Sequence, residues 1–204
     1  AEYSESELAT SATNYRMNRR HQNLCIHLPR HTLIYDASAT LVMQVPVWYT
    51  LSSSVDLQSP LQGKHFLFAY GKWLIDDRAL SRIGEMSDDI FTQYGAEVGW
   101  RFDTVLLFNE TKAAIISALE LTGTPGRAEL LTDPVCFLSW TQDGVTWGDE
   151  RMISLGKQGQ RAKRIAYRPK IKMRDYMSFR YRGANAAIVS FMRLDAQLEA
   201  LANG

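Results

Sequence analysis

A chain of 204 residues with 46% hydrophobic and 22% charged side chains carries enough apolar material for a real core, which excludes a disordered or collagen-like protein. A net charge of +1 excludes a uniformly charged polyelectrolyte binder, and no run reaches the roughly 18–20 apolar residues that cross a bilayer, so no membrane insertion is expected. Two cysteines, Cys25 and Cys136, lie in apolar runs and are too few for a secreted disulfide scaffold, so both are expected as buried thiols of a protein made in a reducing cytoplasm.

Taken in chain order, the first signal is Ser4-Glu5-Ser6-Glu7, which fits a capping box. With Leu8, Ala12 and Tyr15 at helical spacing it predicts a short N-terminal helix ending near Tyr15. Beyond it the pattern is β. Residues 24–28 and 32–36 flank a Pro-Arg-His break and read as a hairpin; 47–51, 65–70 and 72–75 follow, separated by Ser- and Gly-bearing turns. The stretch 78–91 reads either as helix or as a loop with one strand. Strands are then predicted over 102–109, 113–122, 135–141, 146–154, 164–168 and 177–182. A last one, over 186–194, is expected to return from 177–182 through a turn at Gly183-Ala184-Asn185.

A dozen short strands with almost no helix between them predict an all-β protein. Residues 1–95 carry partial β-propeller-like blades and the short N-terminal helix. Residues 96–204 form an antiparallel β-sandwich.

Among stretches that could carry chemistry, Thr141-Gln142-Asp143-Gly144-Val145-Thr146-Trp147 is the most specific. Asp-Gly between β-branched runs marks a hairpin turn, with Thr146 and Trp147 starting the return strand and the indole covering the turn. It is similar to the Asp-box of sialidase-type propellers, one residue shorter between Asp and Gly, and that motif is a structural turn. His21, Cys25, His27 and His31 have a spacing that suggests a metal, but strand geometry brings only Cys25 and His27 together. A buried cysteine with surface histidines is expected and no metal is assigned. Asp76, Asp77, Asp88 and Asp89 are adjacent pairs, which point apart on a strand, whereas a glycosidase needs carboxylates about 5–9.5 Å apart across a bond. No phosphate loop, nucleophile elbow or dinucleotide fingerprint is present, so no catalytic residue and no cofactor are assigned.

Charge is distributed unevenly. Residues 157–182 hold ten Lys or Arg against the single acid Asp175, while the other 178 residues hold 13 basic and 21 acidic side chains. Lys170, Lys172 and Arg174 alternate with Ile171 and Met173, and Arg180 and Arg182 alternate with Phe179 and Tyr181, so one face is basic and the other apolar. With Arg161, Lys163, Arg164 and Arg168 these form a candidate surface for phosphate or for inter-subunit salt bridges. A merely solvated face is the plain alternative.

A family resemblance covers most of the chain. Residues 3–53, with YSESEL, LPRHTLIYDASA and VWYTLSS, look like blades of the packaged-DNA stabilisation proteins of short-tailed bacteriophages, also called tail accessory or tail hub factors. His31-Thr32-Leu33-Ile34-Tyr35-Asp36-Ala37-Ser38 and Val47-Trp48 match a strand followed by a Trp-bearing strand. WRFDTVLLFNE at 100–110 and the segment from FLSWTQDG to SFRYRG at 137–183 are similar to the Asp-Gly hairpin, Arg-rich stretch and final strands of that family. The resemblance implies a non-enzymatic virion protein of the tail, made in the host cytoplasm. It also implies a homo-oligomeric ring below the portal that helps seal the channel over packaged DNA and carries the tail needle or tailspikes. For Arg161, Lys163, Arg164, Arg168, Lys170, Lys172, Arg174, Arg180 and Arg182 the resemblance implies a subunit or DNA-channel contact. Family members are longer, so the chain is expected to be a C-terminal part. Two other classes compete: a carbohydrate-binding β module using Trp73, Trp100, Trp140 or Trp147, and a fragment of a glycoside hydrolase.

Overall fold

The computed structural model describes residues 12–17, 22–87, 89–108, 113–184 and 187–201. The chain divides into two compact units, Ala1–Gly99 and Trp100–Gly204. Both are built from antiparallel strands, with one short helix among the described residues.

In the first unit, β1 (Ala12–Met17), β2 (Gln22–His27), β3 (Thr32–Asp36) and β4 (Trp48–Leu51) form an up-and-down meander in sequence order. β2 and β3 are the expected hairpin, with His27 opposite Thr32. Between β3 and β4 lies the helix α1 (Ala37–Met43). Asp36 caps it by accepting from the Ala39 amide at 2.9 Å, and Gln44 closes it in a left-handed conformation. The predicted N-terminal helix is thus corrected where the structure can be read: Ala12 and Tyr15 belong to β1. Pairing with β2 along the whole strand outweighs a weak helical spacing. Residues 4–11 lie outside the described residues.

A second sheet contains β5 (Phe66–Ala69), β6 (Lys72–Asp76) and β7 (Ile83–Met86), and β8 (Thr92–Gln93) pairs with β9 (Ala96–Glu97). The turns Tyr70-Gly71 and Tyr94-Gly95 have positive φ at both central residues. This is the backbone twist that two-residue hairpins require, and glycine supplies the second position without strain. Of residues 78–91, left between helix and loop by the sequence, the described ones are loop with the strand β7.

The second unit is a sandwich. One sheet runs β10 (Gly99–Asp103), β17 (Tyr176–Ala184), β13 (Val135–Thr141), β14 (Arg151–Ser154), with β11 (Leu107–Phe108) also on β17. The other centres on β12 (Ala114–Gly123). β15 (Ile165–Tyr167) and β16 (Ile171–Met173) lie along it, and β18 (Phe191–Ala200) pairs with it over nearly its whole length. Inward residues alternate along the strands: β17 buries Met177, Phe179 and Tyr181, β12 buries Ile116, Leu119 and Leu121, and β13 buries Cys136 and Leu138. Burial of each large apolar side chain contributes about 1.5–3 kcal/mol, so this cluster holds the two sheets together. Tyr167 on β15 donates to the Cys136 carbonyl on β13 at 2.9 Å, a polar tie inside the apolar layer. Phe102 stacks on Tyr181 at 5.0 Å and meets Phe191 at 5.6 Å.

Two sequence expectations change here. Residues 177–182 and the last strand are not a hairpin, because β17 pairs with β13 while β18 pairs with β12 in the opposite sheet. Gly183 is not a turn residue but part of β17. The indole of Trp100 lies over it, and a Cβ there would sit 2.7 Å from that ring. A strand glycine can mark such a close approach as readily as a bend.

Candidate functional site

The loop 142–150 joins β13 to β14. Asp143 Oδ1 accepts from the amides of Val145 at 2.8 Å and Thr146 at 2.7 Å, and from the Thr141 hydroxyl at 2.8 Å. Thr141 Oγ1 in turn accepts from the Gly144 amide at 3.0 Å. Those bonds to the ionised form hold the Asp143 carboxyl well below the usual carboxylate range. The return strand starts at Arg151, opposite Leu138, and not at Thr146. Side-chain acceptors have taken the amides that a ladder would use, so the chain is wound into a loop. Trp147 lies in this loop, half-buried. Its ring carries the Arg180 guanidinium at 3.6 Å, and Arg180 also grips Asp103 with two bonds of 2.9 and 2.8 Å.

The basic segment separates into two sets. Arg164 makes a two-pronged pair with Glu120, and Arg182 does so with Glu150 while lying 5.0 Å over the Phe137 ring. Lys163 donates to Ser154 Oγ at 3.0 Å. With Arg180 these side chains are engaged within the sandwich. Among the described residues, Arg161, Arg168, Lys170, Lys172 and Arg174 have no carboxylate at ion-pair distance and all five are exposed. Ile171 and Met173 are buried between Lys170, Lys172 and Arg174, as a two-residue period requires. These strands pair with β12 on one side. Between them Pro169 removes an amide and Lys170 takes φ 50°, which interrupts the free edge.

In the first unit, Cys25 and His27 face the same way, but His27 is not on the surface: only 3% of it is exposed. The face of β2 that is buried carries Asn23, Cys25 and His27, because that face lies against the loop that follows β4. There Leu61 donates to Thr32 Oγ1 at 3.1 Å. Arg78 Nη2 donates to His27 Nδ1 at 3.1 Å, and Phe66 stacks at 6.0 Å. Burial, then the Arg78 charge, pulls the imidazole down to about 4, so it is neutral at pH 7. No group of three or more potential metal ligands occurs among the described residues, and His21 lies outside them. Asp76 and Asp77 hold loops. Asp76 accepts from the amides of Lys64 at 2.6 Å and His65 at 2.9 Å, and Asp77 accepts from Gln62 Nε2 at 2.7 Å and pairs with Arg82. Asp89 is exposed, and Asp88 lies outside the described residues.

The four tryptophans considered for sugar stacking are half-buried and occupied. Trp73 packs on Phe68 at 5.4 Å and Trp100 on Phe191 at 5.2 Å. Trp140 lies under Arg151 at 5.1 Å, and Trp147 under Arg180. The exposed tryptophan is Trp48, at 53%, which sequence reading had taken only as a strand marker.

Comparison with known proteins matches both units. A family model described as Bacteriophage P22 Gp10, beta-propeller, matches residues 1–91, and one described as Bacteriophage P22 Gp10, beta-sandwich, matches residues 99–199. A curated relative, the tail hub protein gp10 of Salmonella phage P22, is 27% identical over 197 residues, which is 97% of this chain and 40% of the relative. The chain therefore spans less than half of that relative's length.

Proposed function

Because this chain belongs to the Gp10 tail hub family of short-tailed bacteriophages, we propose that it serves as a structural, non-enzymatic part of the virion tail. In this reading residues 1–95 are the blade-like part and residues 96–204 the sandwich part. Copies assemble into a ring on the portal, over the channel that holds packaged DNA, and support the needle or tailspikes. The observation that carries the proposal is the joint match of a propeller part and a sandwich part, in that order, to the same tail hub protein. The exposed cations on and beside β16, which have no ion-pair partner among the described residues, support a contact role, since such charges are available to a neighbouring subunit.

The test is assembly. Lys170→Glu, Lys172→Glu and Arg174→Glu together reverse three exposed charges and touch no buried group, so folding is expected to survive. Infection complemented with this triple variant is expected to yield heads that fail to acquire complete tails, counted by electron microscopy. Normal tails and normal phage yield would refute a contact role for this edge.

A further inference from the structure

The sandwich has a concavity that belongs to neither the Asp143 loop nor the β15–β16 edge. It is an open depression of about 620 Å³ lined by residues 123–128 on one side and by Gln158, Gly159 and Arg161 on the other. Its walls carry two guanidinium groups and no acid; Glu129, the nearest acid along the chain, is not part of the lining. Neither Arg127 nor Arg161 has a carboxylate at ion-pair distance among the described residues. Two cationic residues and no acid in the lining make the hollow electropositive, which favours an anion there.

The backbone of the hollow is fixed before any ligand arrives. Gly126 donates to the Leu155 carbonyl at 3.4 Å, and Gly159 donates to the Gly126 carbonyl at 3.1 Å, so the two loops are cross-tied. Gly126 has φ 74°, and a Cβ there would lie 2.7 Å from the Gln160 carbonyl carbon, so no larger residue fits. Gly156 and Gly159 also have positive φ. The amides of Arg127 and Gln158 make no hydrogen bond among the described residues. A preformed polar hollow with free donors and two forked cations is what a tetrahedral anion needs.

We propose that this hollow is a phosphate-binding site that takes the phosphodiester backbone of DNA, with Arg127 and Arg161 as its cationic walls and the tied loops 123–128 and 158–161 as its floor. DNA as the source of the phosphate rests on the tail-channel reading given above; affinity for phosphate itself does not. Recognition is independent of base sequence, since nothing here reads a base edge. Lys170, Lys172 and Arg174 line no part of this hollow, so they are assigned to protein contact and the hollow to DNA.

The test uses the full chain and a fluorescein-labelled short DNA duplex, with binding read as anisotropy across a salt series. Arg127→Ala with Arg161→Ala is expected to weaken binding about tenfold or more and to flatten the slope of log K against log salt by about 1, for the phosphate that the hollow no longer neutralises. Lys170→Ala with Lys172→Ala is expected to leave both quantities unchanged. Inorganic phosphate is expected to displace the duplex from the wild-type chain, and polyglutamate of equal charge is expected to bind more weakly than the duplex. Wild-type affinity in the Arg127/Arg161 variant would overturn the proposal. So would a loss confined to the Lys170/Lys172 variant, or a preference for polyglutamate. A circular dichroism melt matching the wild type shows that any loss is not unfolding. Tail assembly scored on the Arg127/Arg161 variant keeps the two readings apart. Weakened DNA affinity with intact tails supports the hollow, whereas intact DNA affinity with failed tails overturns it and leaves the tail role standing.

Discussion

The two units solve the problem of an interior in opposite ways. Of the buried apolar side chains among the described residues, sixteen belong to the sandwich and five to the first unit. The first unit buries Asn23, His27, Thr32 and Asp36 instead, and it leaves Leu41, Val42, Met43, Val45, Trp48, Leu67 and Phe68 largely exposed. The sandwich closes on itself through one continuous apolar layer. The blade-like unit has a smaller and more polar interior, held by strand pairing and by loop hydrogen bonds. A module of this second kind is expected to depend on neighbours for much of its stability, as single repeats of stacked architectures do.

The sharpest way to break that contrast is to separate the units. A piece covering residues 98–204 is expected to unfold in one cooperative step. A piece covering residues 1–97 is expected to show no cooperative transition and to enhance the fluorescence of a hydrophobic dye strongly. The opposite pattern would end the comparison. Within the whole chain, Phe179→Ala removes the centre of the sandwich core and is expected to cost about 3–5 kcal/mol, read as a lower urea midpoint. Leu67→Ala, on an exposed site of β5, is expected to stay within about 0.5 kcal/mol. A smaller effect distinguishes the units by pH. An unfolded His27 takes up a proton near pH 6.5 and the folded one only near pH 4, so the first unit is fully stabilised above that window and weakens as the pH falls through it. The loss is expected to be on the order of 2 kcal/mol by pH 4, and it should vanish in His27→Phe. Urea titrations at pH 7 and pH 5, followed by the amides of β2 and β3, measure it.

The fold class was readable because it depends on local signals: β-branched alternation, Tyr-Gly and Asp-Gly turns, and the near absence of helical periodicity. Pairing partners were not readable, since β12 gathers β15, β16 and β18 from far along the chain, and nothing local distinguishes that from a terminal hairpin. His27 was misjudged as well. It was expected at the surface although it shares a strand face with Cys25, which was expected buried; that whole face of β2 is covered. For the basic segment, alternation of Lys170, Lys172 and Arg174 gave the orientation correctly. Only coordinates could show that Arg164, Arg180 and Arg182 are engaged by Glu120, Asp103 and Glu150. Arg127 drew no attention in the sequence, because it lies outside the basic run and meets Arg161 only after two glycine-bearing loops fold together.

The break between β15 and β16 bears on the fate of crowded copies. An unblemished strand margin beside a lysine-poor face would invite one molecule to zip onto the next and grow into a fibre. Pro169 and the left-handed Lys170 spoil that template, and the cations on either side make two such margins repel. A neighbouring molecule therefore finds no continuous ladder along this margin on which to extend the sheet.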